Sequence, residues 1–295
     1  MPFPRALLAL SFVALLGAAS AHAQADWKLV WSDEFDGDRL DETKWTPAAD
    51  CGGGGNAERQ CYVLSPETVS VGGGVLKLTA IKRKTRGIAN PWAGPTGPMK
   101  TGDYASGKLV TQGKASWRYG RVEARARVPG GQGVWPAIWM MPEVGVYGGW
   151  PKSGEIDILE TVNLGAPCET CEGGRENRVF GTIHFAGDAD GGHRQVSHNI
   201  PMPPSPDGFH VYAVEWSPEA IAWSVDGREY GRATPADWKR DDKAVGPAPF
   251  DQPFHLILNL AFGGGWPEGA NAKGIDEAAL PATMEIDWVR VSQRP

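Results

Sequence analysis

The strongest constraint on this chain is that its apolar residues recur every second position, in runs too short for anything but strands. The runs Val75-Leu76-Lys77-Leu78-Thr79-Ala80, Val122-Glu123-Ala124-Arg125-Ala126-Arg127-Val128 and His210-Val211-Tyr212-Ala213-Val214-Glu215-Trp216 all alternate, as do Ala220–Val225 and Met284–Val291. Alternation sends successive side chains to opposite faces, which marks half-buried strands. Glycine and proline, 39 and 24 of the residues, cut between the runs, and no long amphipathic helical stretch exists. Val225-Asp226-Gly227-Arg228-Glu229 places an Asp-Gly turn between two runs, a hairpin signal. Many short strands with turn signals predict an all-β sandwich or barrel. No linker, repeat or low-complexity tail marks a second domain. Residues 86–103 and 163–178 read as long loops, the segments that shape binding clefts on such scaffolds.

One run departs from strict alternation. Glu155-Ile156-Asp157-Ile158-Leu159-Glu160 packs three carboxylates among apolar residues. In a strand Glu155 and Asp157 share a face, while Ile156 and Ile158 face a core. Glu160 lies an odd number of positions from Glu155, so unbroken alternation would bury it. A β-bulge at Leu159 or its neighbour returns Glu160 to the acid face. A helix would set Glu155 and Glu160 roughly 140° apart, unable to act on one bond, and the β-branched isoleucines favour a strand. Two carboxyl groups across a glycosidic bond cut it, one as acid and one as nucleophile or base. A third between them bonds the nucleophile and keeps the acid protonated by like-charge coupling. The alternatives are a solvated charged strand or a hard-cation site, which usually recruits Asn, Ser or carbonyl ligands from a glycine-containing loop.

The ends and the composition narrow the class. Arg5, an apolar run from Ala6 to Ala18, and Ala21-His22-Ala23 form a charged, apolar and small-x-small series. Residues 1–23 therefore read as a signal peptide, too short to span a membrane, leaving 24–295 as a single catalytic domain. A secreted or periplasmic location follows, with no membrane contact after cleavage. Cys51, Cys61, Cys168 and Cys171 are even in number, and an oxidising compartment permits disulfides. Proximity pairs Cys51 with Cys61 and Cys168 with Cys171, and the two other pairings stay open. The net charge is −6 without a basic stripe, which argues against nucleic acid. Thirteen tryptophans exceed what a core of this size needs, and aromatic faces suit the C–H faces of sugars.

The flanks of the acid run carry a family resemblance. Trp117-Arg118-Tyr119-Gly120-Arg121-Val122-Glu123-Ala124-Arg125 leads to Gly133-Val134-Trp135-Pro136-Ala137-Ile138-Trp139-Met140-Met141-Pro142, then Gly149-Trp150-Pro151-Lys152-Ser153-Gly154 and the acids. Gly181-Thr182-Ile183-His184-Phe185 and Phe254-His255-Leu256-Ile257-Leu258-Asn259-Leu260-Ala261 follow. From Trp31 to Val291 the chain resembles glycoside hydrolase family 16, most closely its laminarinase (endo-β-1,3-glucanase) branch. The resemblance implies a concanavalin A-like β-jelly-roll sandwich with a sugar cleft across its concave sheet. It implies a monomer acting on β-glucan, by retention, with no cofactor for catalysis. The bulged spacing matches laminarinases, whereas lichenases have the shorter form.

Carried over by position, Glu155 resembles the nucleophile, Glu160 the acid/base and Asp157 the assisting carboxylate. His184 matches a histidine near the acid/base; its alternative is a buried histidine bonded to backbone. Trp135 and Trp150 match sugar-stacking tryptophans, and Trp139 reads as wall or core. Asn56 and Glu58 match a loop that bonds glucosyl hydroxyls, unless that loop is only the turn closed by Cys51 and Cys61. Lys108 is expected at the substrate where some relatives carry arginine. Such a lysine gives up planar bidentate contacts. The 163–178 loop is longer than in many relatives. A structural Ca²⁺ is implied on the convex side, held by the Asp287 carboxylate and backbone oxygens near Glu34 and Gly74. Strand spacing alone, about 3.3 Å per residue, leaves the two glutamates between the retaining and inverting separations. Action on another β-glucan or a galactan, transglycosylation, and glucan binding without catalysis are the competing functions.

Overall fold

The alternating runs become strands of two stacked, almost wholly antiparallel sheets. A computed structural model describes residues 26–90, 96–187, 192–205, 207–239 and 246–295. The expected signal peptide lies outside these residues. One sheet has ten strands, centred on Gly120–Arg127, Ala282–Gln293 and Val75–Ile88. The other has seven, in the order His193–Pro201, Arg178–Ala186, Glu155–Glu160, Val134–Pro142, Phe254–Phe262, Lys108–Val110 and Thr46–Pro47. This is the jelly-roll sandwich that alternation and resemblance predicted. Among the described residues the α-helix is confined to Gly265–Gly269. The Asp-Gly hairpin forms as read, with Asp226 and Gly227 both at positive φ. The expected loop over 86–103 is a correction: the strand Val75–Ile88 runs into it and Met99–Ser106 begins within it.

The core lies between the sheets and follows the alternation. Leu76, Leu78 and Ala80 of one sheet, with Val122, Ala124 and Ala126, meet Ile138, Met140, Ile156, Ile183, Leu256 and Leu258 of the other. Each fully buried leucine or isoleucine contributes roughly 1.5–3 kcal/mol. Trp45, Trp216, Trp223 and Trp238 are also fully buried. A good share of the tryptophan excess is therefore core, not sugar platform.

The bulge falls on Ile158 and Leu159. Asp157 pairs with Trp139, but the next match toward that neighbour is Leu159 with Ile138. On the other side Asp157 pairs with Thr182 and Glu160 with Phe180. Ile158 and Leu159 are consecutive yet both enter the core. Glu160 thereby regains the outer face. The disrupted ladder leaves a buried carbonyl to satisfy. Trp223, from the opposite sheet, crosses the core and donates its indole N–H to the Asp157 carbonyl at 2.8 Å. The adjacent strand makes room for it with Gly181, where a Cβ would lie 2.3 Å from the Trp223 ring.

Trp223→Phe keeps most of the buried area and removes that donor. It is expected to cost about 1–3 kcal/mol of stability, the penalty of an orphaned buried carbonyl. Urea denaturation measures it; a midpoint equal to the parent's would show that the bulge needs no such anchor.

Candidate active site

The outer face of the seven-stranded sheet assembles the site by register. Glu155 lies opposite His184, Asp157 between Thr182 and Trp139, and Glu160 between Phe180 and Ala137. The next strands add Asn259 beside Ala137 and Lys108 beside Asn259. The catalytic strand starts after Gly154, whose φ of +81° a side chain would strain; a Cβ there would also press on Phe250.

Each acid has its own holder. Trp150 donates its indole N–H to Glu155 Oε2 at 2.6 Å. Trp135 does the same for Glu160 Oε1 at 3.0 Å. His184 Nε2 stands 3.1 Å from Asp157 Oδ2, and Asp157 is hydrogen-bonded to Glu155. The row cannot carry three charges in this setting. Burial, and then the charge of Asp157, raises Glu155 to about 8, against the pull of His184 and the Trp150 bond. Burial raises Asp157 as well. Glu160 is driven well above the carboxylate range, first by burial and then by Asp157. A protonated Glu160 beside an ionisable Glu155 can supply an acid and a nucleophile on one face. The expected like-charge coupling is present, but desolvation outweighs it.

A polar network continues across the sheet. Trp139 donates to Asn259 Oδ1 at 2.6 Å, and Asn259 Nδ2 donates to the Tyr62 hydroxyl at 3.0 Å. Tyr62 reaches Glu58 Oε2 at 3.2 Å, Gln60 donates to the same oxygen at 2.6 Å, and exposed Asn56 reaches Glu58 Oε1 at 3.3 Å. The loop held by the Cys51–Cys61 disulfide thus joins the site instead of only closing on itself. The Lys108 ammonium lies over the rings of Tyr62 and Trp139, 5.4 and 5.2 Å from their centroids. Burial lowers its pKa. Burial, then the charge of Lys108, holds nearby His255 down at about 4.

The two ends of the acid row differ from expectation. Trp150 is 54 % exposed beside Glu155 and offers a stacking face. Trp135 is only 8 % exposed, too covered for a sugar platform, and serves Glu160 instead. The open ring at that end is Trp266, packed edge-on against Trp135 and Phe180. Sequence reading missed it, although the run Gly263-Gly264-Gly265-Trp266-Pro267 marks an aromatic on a glycine turn. It missed Tyr62, Gln60 and Asn259 too; their parity on the site-facing strands was the available signal. The loop at 163–178 backs this end: Asn163 donates to Pro267 O and Asn271 Oδ1 at 2.9 and 2.8 Å, and Asn271 donates to Glu176. Its Cys168 and Cys171 form a disulfide, so neither is a metal ligand.

The residues expected at a cation lie on or beside strands of the other sheet. The strand Ala282–Gln293 pairs with Leu76 up to Ile286 and with Asp33 from Val289. Asp287 therefore lies at the seam, with Gly74 and Glu34 just past the two strand ends. The Glu34 carboxylate is committed to Arg290 at 3.0 and 2.7 Å, and Asp287 Oδ2 accepts from Arg125 at 2.8 Å. Only main-chain oxygen of Glu34 remains for a ligand, as the resemblance implies.

Residues 58–290 match the family described as glycosyl hydrolases family 16. The chain is 40 % identical to a β-glucanase of Rhodothermus marinus over 94 % of its own length and 89 % of the relative's. It is 36 % identical to a glucan endo-1,3-β-glucosidase of Cryptopygus antarcticus, over 94 % and 96 %. The crystal structure of the Rhodothermus marinus laminarinase superposes with a TM-score of 0.75 at 40 % identity, covering 92 % of this chain and 99 % of that one.

The raised acids fix the sign of a pH effect. A carboxyl whose folded pKa exceeds its unfolded one stabilises below the unfolded value and loses that contribution as pH rises through the folded value. For Glu155 the window runs from 4.5 to about 8. Stability is expected to fall across it, and Glu155→Gln to flatten the fall. Denaturant midpoints taken across this window in both proteins check this; equal slopes would contradict it.

Proposed function

Because this chain belongs to glycosyl hydrolases family 16, we propose that it hydrolyses β-1,3-glucosidic bonds within laminarin-type glucans, retaining anomeric configuration. The observation that carries the reading is the bulged acid row, with a separate tryptophan on each terminal glutamate. Glu155 attacks the anomeric carbon while Glu160 protonates the departing oxygen. Before attack the proton shared by Glu155 and Asp157 passes to Asp157, which leaves the row's one charge on the nucleophile. Glu160, then ionised, takes a proton from water, which releases the glycosyl-enzyme ester.

Glucosyl units stack on Trp150 at one end and on Trp266 at the other. Asn56, Glu58 and Lys108 bond hydroxyls on the side of the polar network. Lys108 sits fixed between two rings and acts as a single-point donor. Trp135 holds the acid and does not touch sugar. Family 16 glycosidases need no cofactor for catalysis. The finer placement is that the chain is exported, cut after Ala23, and works as 24–295 outside the cytoplasm; both disulfides support it. No helix among the described residues is long and apolar enough to cross a membrane.

The seam at Asp287 supports a structural calcium. Its carboxylate and the carbonyl oxygens of Glu34 and Gly74 are hard oxygen donors of the type that ion takes.

Reducing-sugar release from laminarin tests the activity. Glu160→Gln should cost about 10²–10⁴-fold in kcat, the range of general acid catalysis, and Glu155→Gln at least as much. NMR of fresh products should show the β-anomer first; an α-anomer burst, or near-parental activity in either variant, would overturn the mechanism. Chelation should lower Tm by about 5 °C or more, as loss of an ion present well above its Kd does. Asp287→Asn should lose that response, and an unchanged parental Tm would refute the calcium.

A further inference from the structure

A closed ring of side chains surrounds the nucleophile, and one member has no role in the reading above. His193, first residue of the strand His193–Pro201, bonds His184 Nδ1 through Nε2 at 2.8 Å. The two imidazole planes differ by 24°, so they meet nearly edge to edge. The other face of His193 carries Trp150, with ring centroids 4.8 Å apart. Around the circuit, Trp150 holds Glu155, Glu155 bonds Asp157, Asp157 meets His184 Nε2 at 3.1 Å, and His184 returns to His193. Neither partner contact lies on the catalytic strand, which is why parity could not reveal them.

We infer that His193 is a positioning residue: its Nε2 bonds His184 Nδ1 and fixes that imidazole 3.1 Å from Asp157 Oδ2, and its ring supports Trp150 against Glu155. A neutral imidazole donates from one nitrogen and accepts at the other. The bond between His184 Nδ1 and His193 Nε2 therefore selects one tautomer and one orientation of the ring beside Asp157. Without that bond the ring exchanges between tautomers and is free to turn away from Asp157. Burial, and then His184, lowers the pKa of His193, consistent with a neutral ring in this chain.

The inference rests on Glu155 and Asp157 being the nucleophile and its helper, so the test separates the two claims. Two substitutions divide the functions of His193. His193→Gln keeps an N–H near Nε2 but loses the ring; His193→Phe keeps a ring under Trp150 but loses the bond. The expected result is a drop of about tenfold in kcat for His193→Phe, the value of one hydrogen bond at a charged site. KM should stay within about twofold, and His193→Gln should recover most of the kcat. Long-range ¹⁵N–¹H NMR of histidine-labelled protein should show a single His184 tautomer in the parent and a mixture in His193→Phe. A parental kcat in His193→Phe, equal losses in both variants, or a mixture of His184 tautomers in the parent would overturn the inference. A parent inactive on laminarin would overturn the hydrolase reading alone, because the tautomer is read without turnover.

Discussion

The indole N–H of Trp223 on the carbonyl of Asp157 is the contact on which the site depends. A strand has a period of two, and this site needs acids at an odd spacing. The conflict is resolved by one extra residue, which sends Ile158 and Leu159 together into the core. The extra residue breaks the ladder and leaves main-chain polarity in a dry interior. Trp223 supplies the missing donor from the far sheet, through a gap that Gly181 leaves open. The sandwich therefore does more than cover the back of the catalytic strand. It fixes the irregularity that sets the acids in line.

The acids are then governed by desolvation. Burial raises all three carboxyls and is the largest cause for each. Glu155 and Glu160 each have a tryptophan donor and the pull of His184 to favour ionisation. Glu160 is the more deeply buried, which keeps it protonated. Like-charge repulsion from Asp157 raises both. The same low-polarity surroundings depress Lys108 and His255. The whole face is thus tuned by exclusion of water, with hydrogen bonds assigning protons within it.

Much of this was legible in particular residues. Alternation in Val75–Ala80 and Val122–Arg127 gave the sheets, and Asp226-Gly227 gave a hairpin. The odd offset of Glu160 from Glu155 called for the bulge. Aromatic roles were less legible, because stacking and holding use the same residue type. Trp135 and Trp150 read alike in sequence, yet one is covered by Trp266 and the other is open. Trp223 read as an ordinary core residue of an alternating run. Its indole bond depends on a strand from the other sheet, which no local pattern specifies. The supposed loop at 86–103 was strand at both ends, since exposed strand ends rich in Lys, Arg and Gly lack the apolar face that marks a strand.

By itself the sequence determined the all-β class, the acid strand and the need for an irregularity within it. Those features depend on short-range spacing, which side-chain alternation and chain length constrain directly. Tertiary structure decided where the bulge residues point, which tryptophan is platform and which is clamp, and how His193, His184 and Trp150 close around Glu155. It also brought Glu34, Gly74 and Asp287 to one seam. Each of these depends on strands distant in the chain becoming neighbours in register, and on how much water their packing leaves.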